Sequence, residues 1–515
     1  MDLSIRIADI ITVLVYLTGM LAVGFYFSKR NKTTEDYFVG GRAFSGWVIG
    51  LSMLGTIVSS ATFLALPAAA FILDWRQLTV NLVVPFIAVL AVILFIPFFR
   101  RGKLTSAFEY LGERYGVVPR LYGTVSFIIM QLIRMAQILF LVSLVIQFLT
   151  GAPIVLVIIL TGLFIGVYTI LGGIEAVIWT DVVQAIILLI GGVLCIVWVT
   201  IDLPGGIAQV FEIGMANNKF SLGEMRFDLD ERTFYTVAIL GIINWLGIYA
   251  GDQNIVQRYA SARSTREARK ATLIYSAIAL PMWTLFFFIG TSLFVYYLTF
   301  PNPVVATLEA DQVLPFFILS EIPPVISGII VSAVIAAVMS TMDSGINAIS
   351  TVSVIDLMKP WLAKNRLDSY YLKSAHLIAT VVTVLVIIGA ITFSQIDKES
   401  MNDISLIVTS VFGGCLMGLF IMGFFTHRID GFSATIALVM AVIFNIYLGL
   451  GLLGVLPKSW ILPVHSYWVG ALVNGTFIIV AYGIGLIRNN SDKDLNGLTV
   501  WTMKKKPEGK KYNPK

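Results

Sequence analysis

Several stretches of this sequence set polar chemistry inside apolar surroundings. Gly55-Thr56-Ile57-Val58-Ser59-Ser60-Ala61-Thr62 places a glycine, β-branched residues and hydroxyls in the middle of an apolar run. Backbone of this kind is a candidate for unwinding, which a bilayer tolerates only where the freed groups line a protein cavity. The same small residues would also let helices pack closely. Asn244-Trp245-Leu246-Gly247-Ile248-Tyr249-Ala250-Gly251-Asp252-Gln253 is a second polar interruption. In Ala337-Val338-Met339-Ser340-Thr341-Met342-Asp343-Ser344-Gly345-Ile346-Asn347, the residues Ser340, Ser344, Asn347 and the later Thr351 recur at helical spacing and share one face. Thr341 and Asp343 lie at its margins. This stripe would serve as hydrogen-bonding glue between helices. With free carbonyls opposite, its hydroxyls and carboxylate would equally make a hard-oxygen shell suited to Na⁺, without the thiolates or imidazoles that transition metals prefer. Asp181 begins an apolar run and is a natural partner for a helix N-terminus. Arg134 sits midway through another, too deep to reach water easily. It requires an ion pair, with Asp181 or Asp252 as partners, or it is a guanidinium that forks onto the carboxylate of a solute.

The elements that must position these residues are membrane helices. Of 515 residues 58% are apolar and 13% charged, against roughly 25% charged in an average soluble protein. This excludes a disordered chain, a nucleic-acid-binding protein and an ordinary cytosolic enzyme. Cys195 and Cys415 both sit in apolar runs, and His376, His427 and His465 share no ligand spacing. No disulfide framework, Cys-based metal site or nucleophile–base set emerges. Stretches of about 20 apolar residues, the length that spans a bilayer, occur thirteen times, at 7–27, 45–73, 77–99, 119–149, 153–171, 176–201, 233–257, 271–298, 313–356, 374–395, 403–425, 431–453 and 465–487. The stretch 313–356 is too long for one straight span, so it must tilt, break or extend beyond the membrane. The first stretch, flanked by Asp2, Asp9 and Lys29-Arg30, is not a cleavable leader.

Placing the N-terminus outside puts 27 of the 35 Lys and Arg residues on inside segments and seven outside, leaving Arg134 within a span. This bias predicts an N-out, C-in topology. It also accounts for the net charge of +5 without nucleic acid, the Lys504-Lys505-Lys506 tail lying near anionic lipid. The longest connection, about 202–232, is too short for a domain, and nothing in the sequence demands a protein partner. The interruptions in the second and seventh spans open two successive groups of five. Paired interrupted helices in corresponding halves point to a midplane site in an inverted-repeat transporter.

These residues resemble the sodium/solute symporters. The resemblance rests on GGIEAVIWTDVVQ at 172–184, TSAFEYLGERYG at 105–116, DQNIVQRY at 252–259 and AAVMSTMDSGINAIS at 336–350, and it covers essentially the whole chain. Within the family VSSATFLALPAAAF at 58–71, the following DW at 74–75 and the mid-span arginine are most similar to the bacterial sialic acid transporters.

The resemblance implies an all-α, leucine-transporter-like single transmembrane domain. Two inverted five-helix repeats (45–201 and 233–425) would follow an extra N-terminal helix (1–44) and precede two more helices (426–487) and a cytoplasmic tail (488–515). It implies a Na⁺ site on the carbonyls of Gly55, Val58 and Ala337 and the hydroxyls of Ser340 and Thr341. A second Na⁺ site maps onto Asp181, Ser340, Asp343 and Ser344, where Asp343 replaces a serine of the sialic acid branch. The second carboxylate would strengthen cation binding or hold a proton, so one or two coupling ions are expected. The substrate site would be lined by Ser59, Ser60, Thr62, Asn81 and Arg134, with Tyr249 stacking or gating. Asn81 and Ile57 replace a glutamine and a threonine of that branch, shortening polar reach. The expected function is Na⁺-coupled import of a small, anionic solute, an acidic sugar such as sialic acid, across the inner membrane by alternating access. The alternatives are a neutral sugar, polyol or monocarboxylate symporter, and an uncoupled sensor or channel on the same fold.

Overall fold

A computed structural model of the chain describes residues 6–28, 30–101, 104–396, 408, 412–488 and 495–502. Among them the architecture is all-helical. The principal helices are α1 (Ile7–Ser28), α2 (Gly46–Ile57), α3 (Ser60–Ile72), α4 (Arg76–Arg100, with irregular turns), α5 (Val117–Thr150), α6 (Ile154–Asp202), α7 (Phe234–Gly251), α8 (Gln253–Ser261), α9 (Thr265–Thr299), α10 (Ile326–Val352), α11 (Asp368–Phe393), α12 (Leu416–Phe425), α13 (Gly431–Leu452) and α14 (Val469–Arg488).

Ten described helices are long and apolar enough to cross a bilayer, and the bent pair α2–α3 makes eleven. One of the ten, α6, has 49 residues and would measure ~74 Å if straight, more than twice a hydrocarbon core of roughly 30 Å. It is not straight, because Gly173 lies at φ 57° and ψ −162° and divides it into two limbs. The carbonyls released by the break find donors: the Tyr37 hydroxyl reaches Ile170 O at 3.2 Å, and Asn31 Nδ2 reaches Leu171 O at 3.2 Å. A side chain at Gly173 would put Cβ 2.7 Å from the Tyr37 ring, so both the dihedral and the space demand glycine. The break falls between the spans expected at 153–171 and 176–201, the two limbs being joined through Gly173. The expected span at 403–425 falls largely outside the described residues, as does the Lys504-Lys505-Lys506 tail.

The long stretch 313–356 is broken rather than tilted. A short helix, Ala310–Ser320, is separated from α10 by a turn through Pro323 and Pro324 in which Val325 takes φ 75°. Two prolines, which lack backbone N–H groups, end the first helix. At its other end α10 continues into a π-helical turn, Ser353–Leu362, where Arg120 pairs with Asp356 at 2.8 Å. The outer connection 202–232 contains a helix, Gly206–Ala216, that the sequence reading left as loop. Lys219 beyond it donates to Phe71 O (2.7 Å) and Leu73 O (3.0 Å), closing the carbonyl end of α3.

Almost wholly buried, α10 packs against α1, α2, α5, α6 and α11. The polar residues on it are therefore interior by construction, and each must find a partner.

Candidate functional site

The second span unwinds where the sequence predicts. The helix α2 stops at Ile57, Val58 (φ −79°, ψ 105°) and Ser59 (φ −104°, ψ 177°) are extended, and α3 starts at Ser60 with its axis turned by 58°. The seventh span is interrupted more economically than expected. Asn244 through Gly251 remain helical, and a single extended residue, Asp252 (φ −70°, ψ 123°), separates α7 from α8.

Three of the five atoms expected to form the first Na⁺ site are already together. The hydroxyls of Ser340 and Thr341 both donate to Ala337 O, each at 3.2 Å, and all three residues are buried. Gly55 abuts α6 so closely that a Cβ there would stand 3.0 Å from Asp181 O. The extended Val58 is buried beside this junction.

The residues expected to hold a second cation form one enclosed network. Asp181 Oδ2 accepts from Ser52 Oγ at 2.6 Å, from Thr56 Oγ1 at 3.3 Å and from Arg258 Nη2 at 2.7 Å. The same Nη2 donates to Ser344 Oγ at 2.7 Å, while Nε donates to Ser52 Oγ at 2.9 Å and Nη1 to Asn254 O at 2.9 Å. Asp343 accepts from the Tyr168 hydroxyl at 2.9 Å, from Thr180 Oγ1 at 3.3 Å and from Ser344 N at 2.6 Å. Both ion-paired side chains, Asp181 and Arg258, are 0% exposed. Oδ1 of Asp181 has no hydrogen-bond partner among the described residues. An orphaned carboxylate oxygen beside buried hydroxyls and a second carboxylate is chemistry that fits Na⁺.

Asp181 is therefore not the partner of Arg134. The sequence reading assigned Arg258 to an inside loop, whereas it is fully buried and is the counter-charge of Asp181. The polar stripe on α10 divides accordingly. Ser344 belongs to this network, while Asn347 and Thr351 accept from Gln257 Nε2 at 2.8 and 3.0 Å and glue α10 to α8. Arg258 and Gln257 both lie in the DQNIVQRY stretch, which the sequence singled out without indicating that its helix turns inward. Ser52, Tyr168 and Thr180 give no spacing signal, because each is one hydroxyl in an apolar helix, while Thr56 lies in the stretch read as a candidate for unwinding.

Arg134 lies elsewhere, on the wall of an open cavity of about 510 Å³ between α5, α7, α13 and α14. Its polar lining includes Arg134, Asp252, Gln131, Gln137, Asn244, Asn445, Ser466 and Asn474. Arg134 is exposed to this space, and its guanidinium makes no hydrogen bond or ion pair among the described residues. Asp252 is the acid whose charge it feels, but that carboxylate accepts from Asn254 N at 2.8 Å and caps α8. Of the other expected substrate residues none lines this cavity. Ser59 and Thr62 are buried at the α2–α3 break, and the side chain of Ser60 lies outside the described residues. Asn81 is half-buried on α4. Tyr249 is buried among Trp245, Tyr275 and Tyr259, its hydroxyl unpartnered among the described residues.

Comparison with known proteins supplies context for this arrangement. The sodium:solute symporter family model matches residues 37–441. A sodium/sialic acid symporter of Proteus mirabilis is 34% identical over 430 residues, covering 83% of this chain and 86% of its own. Its counterpart in Aliivibrio fischeri is 30% identical, with 84% and 86% covered. The human sodium-coupled monocarboxylate transporter 1 is 28% identical, with 85% and 73% covered. A solved structure of a Na⁺-coupled sialic acid symporter, substrate-bound and outward-open, superposes with TM-score 0.85 and 30% identity over 93% of this chain and 98% of that one. The nucleobase-cation transporter Mhp1, at 15% identity and TM-score 0.52 over 88% and 93% of the two chains, shares the fold alone.

Proposed function

Because this chain belongs to the sodium:solute symporter family and is a multi-pass membrane protein coupling import of a small solute to Na⁺, we propose that its cargo is an organic acid, with an acidic sugar such as sialic acid as the leading candidate. The observation that carries this reading is the exposure of Arg134, a guanidinium presented to a cavity with its fork of donors unclaimed. A carboxylate matches that fork in shape and charge. The cavity's volume lies in the range that encloses most of a small ligand. The relatives named for sialic acid and monocarboxylates carry acids of this kind.

In this reading Gly55, Val58, Ala337, Ser340 and Thr341 bind one Na⁺, and Asp181, Ser340, Asp343 and Ser344 receive a second cation. Ser59, Ser60, Thr62 and Asn81 complete the solute site when α3 and α4 approach Arg134, and Tyr249 gates it. The repeats 45–201 and 233–425 rock around this site in a thirteen-span, N-out and C-in arrangement in the bacterial inner membrane, with lipid as their surroundings. Coupling is mutual: each ligand binds better when the other is present. Two Na⁺ per monoanion would carry one net positive charge inward, each 100 mV then contributing about 2.3 kcal/mol to uptake.

The test is uptake into proteoliposomes of a labelled panel containing sialic acid, a monocarboxylate and a neutral sugar, with and without an inward Na⁺ gradient. Na⁺-driven accumulation of the acids alone is expected. Accumulation of the neutral sugar in preference would overturn the anionic reading and reduce Arg134 to a structural role.

A further inference from the structure

The network around Asp181 contains two carboxylates and one guanidinium, all 0% exposed. Arg258 occupies only half of what Asp181 offers. Oδ2 holds the guanidinium and two hydroxyls, while Oδ1 has no partner among the described residues. Ser344 Oγ, expected as a cation ligand, is likewise engaged by Arg258 at 2.7 Å. A buried carboxylate left short of positive charge is costly, and like positive charges on one carboxylate repel. Arg258 and a Na⁺ at Asp181 and Ser344 therefore draw on the same two side chains.

We infer that Arg258 is a tethered competitor of the second cation: its guanidinium stands in for Na⁺ on Asp181 and Ser344 and withdraws from them as the ion enters. The inference rests on the second cation site proposed above and deepens it. Its geometric basis is where Arg258 is mounted. It sits on α8, joined to α7 through the single extended residue Asp252, whereas Asp181 sits on α6 and Ser344 on α10. Withdrawal of the guanidinium moves α8 against α6 and α10, so ion occupancy and the position of α8 are linked through one side chain. Asp252 itself lines the cavity that presents Arg134, which places the solute site at the other end of the same hinge.

The test is Na⁺ binding by purified protein without solute, followed by isothermal calorimetry and by the rise of melting temperature with Na⁺. Arg258→Gln keeps hydrogen-bond donors but removes the competing charge, so apparent Na⁺ affinity should rise by about tenfold or more. Arg258→Lys keeps the charge without the fork that spans Ser52, Ser344 and Asp181, and should give an intermediate gain. It carries the test if the glutamine variant does not fold. In an Asp181→Asn background Arg258→Gln should change Na⁺ affinity little, because both competitors have lost their target. Unchanged or weakened Na⁺ affinity in folded Arg258→Gln or Arg258→Lys protein would overturn the inference and leave Arg258 a structural ion-pair partner. Na⁺ binding by the Asp181→Asn protein equal to that of the unmodified protein would instead overturn the second cation site itself.

Discussion

Arg258 and Asp181 lie 2.7 Å apart in an enclosed network where every guanidinium nitrogen has an acceptor. Arg134, midway along α5, and Asp252, at the break between α7 and α8, share the wall of an open cavity and form no ion pair among the described residues. The first region sets one arginine among two aspartates and the second one arginine near one aspartate, and the two meet the cost of burial differently. In the first, Arg258 pairs with Asp181, and hydroxyls from three helices, α2, α6 and α10, hydrogen-bond the charged groups. In the second, Asp252 is committed to the N-terminus of α8 and the guanidinium is left to whatever enters. In the proposed function this contrast divides an ion-handling region from a solute-handling one.

The contrast can be broken most severely at the ion side. Replacing Ser340 and Thr341 together by alanine removes two oxygens that already converge on Ala337 O. Na⁺-driven uptake should fall on the order of 100-fold while solute-independent folding, read by size-exclusion profile and melting temperature, is retained. Unchanged Na⁺ dependence would show that the ion binds elsewhere.

On the solute side, Arg134→Ala should weaken binding of an acidic sugar by about 2–5 kcal/mol, since a desolvated carboxylate would then face no partner. Arg134→Lys, which keeps the charge without the fork, should cost less, about tenfold. Calorimetry with a neutral analogue sharpens the point, for it should lose far less. Equal losses for acid and analogue would make the open arginine as structural as the closed one.

Asp343→Asn tests whether the closed network holds a second ion. The Na⁺ Hill coefficient should drop toward one, because one of two carboxylates near the orphaned Asp181 Oδ1 is neutralised. A coefficient already near one in the unmodified protein, with uptake sensitive to pH, would assign Asp343 a proton in place of that ion. The smallest effect belongs to Asp252→Asn. Asparagine still caps a helix, so melting temperature should hold, but removing the negative charge beside Arg134 should strengthen acid binding a few-fold. Weaker binding would mean that Asp252 positions Arg134 instead of opposing it.

Much of this was legible before any coordinates, and the limits have physical causes. Composition marks a broken helix, so the unwinding at Val58-Ser59 is readable directly, whereas the length of 313–356 allows tilt, extension or a break, and the structure shows the break. The helical period brought Ser340, Ser344, Asn347 and Thr351 onto one face, where they are found. Periodicity says nothing about which side chain from another helix meets that face, and for this reason the sequence places Arg258 between spans and leaves Asp181 open as a partner for Arg134. A basic residue near a helix end usually points toward water. The rule fails here because α8 is short, begins inside the bundle and carries its arginine inward. The cavity at Arg134 escaped notice because much of its wall comes from α13 and α14, beyond the two repeats on which the sequence argument concentrated.

The break at Gly173 has a mechanical corollary. Two long helical limbs meet through one residue, clasped by Tyr37 and Asn31 and denied any side chain by the Tyr37 ring. Changing the angle between the limbs would release the two carbonyls that Tyr37 and Asn31 hold, so the clasp acts as a brace on the bend. Asp181 stands about two turns beyond that bend, so the brace at Gly173 also helps fix where its carboxylate lies.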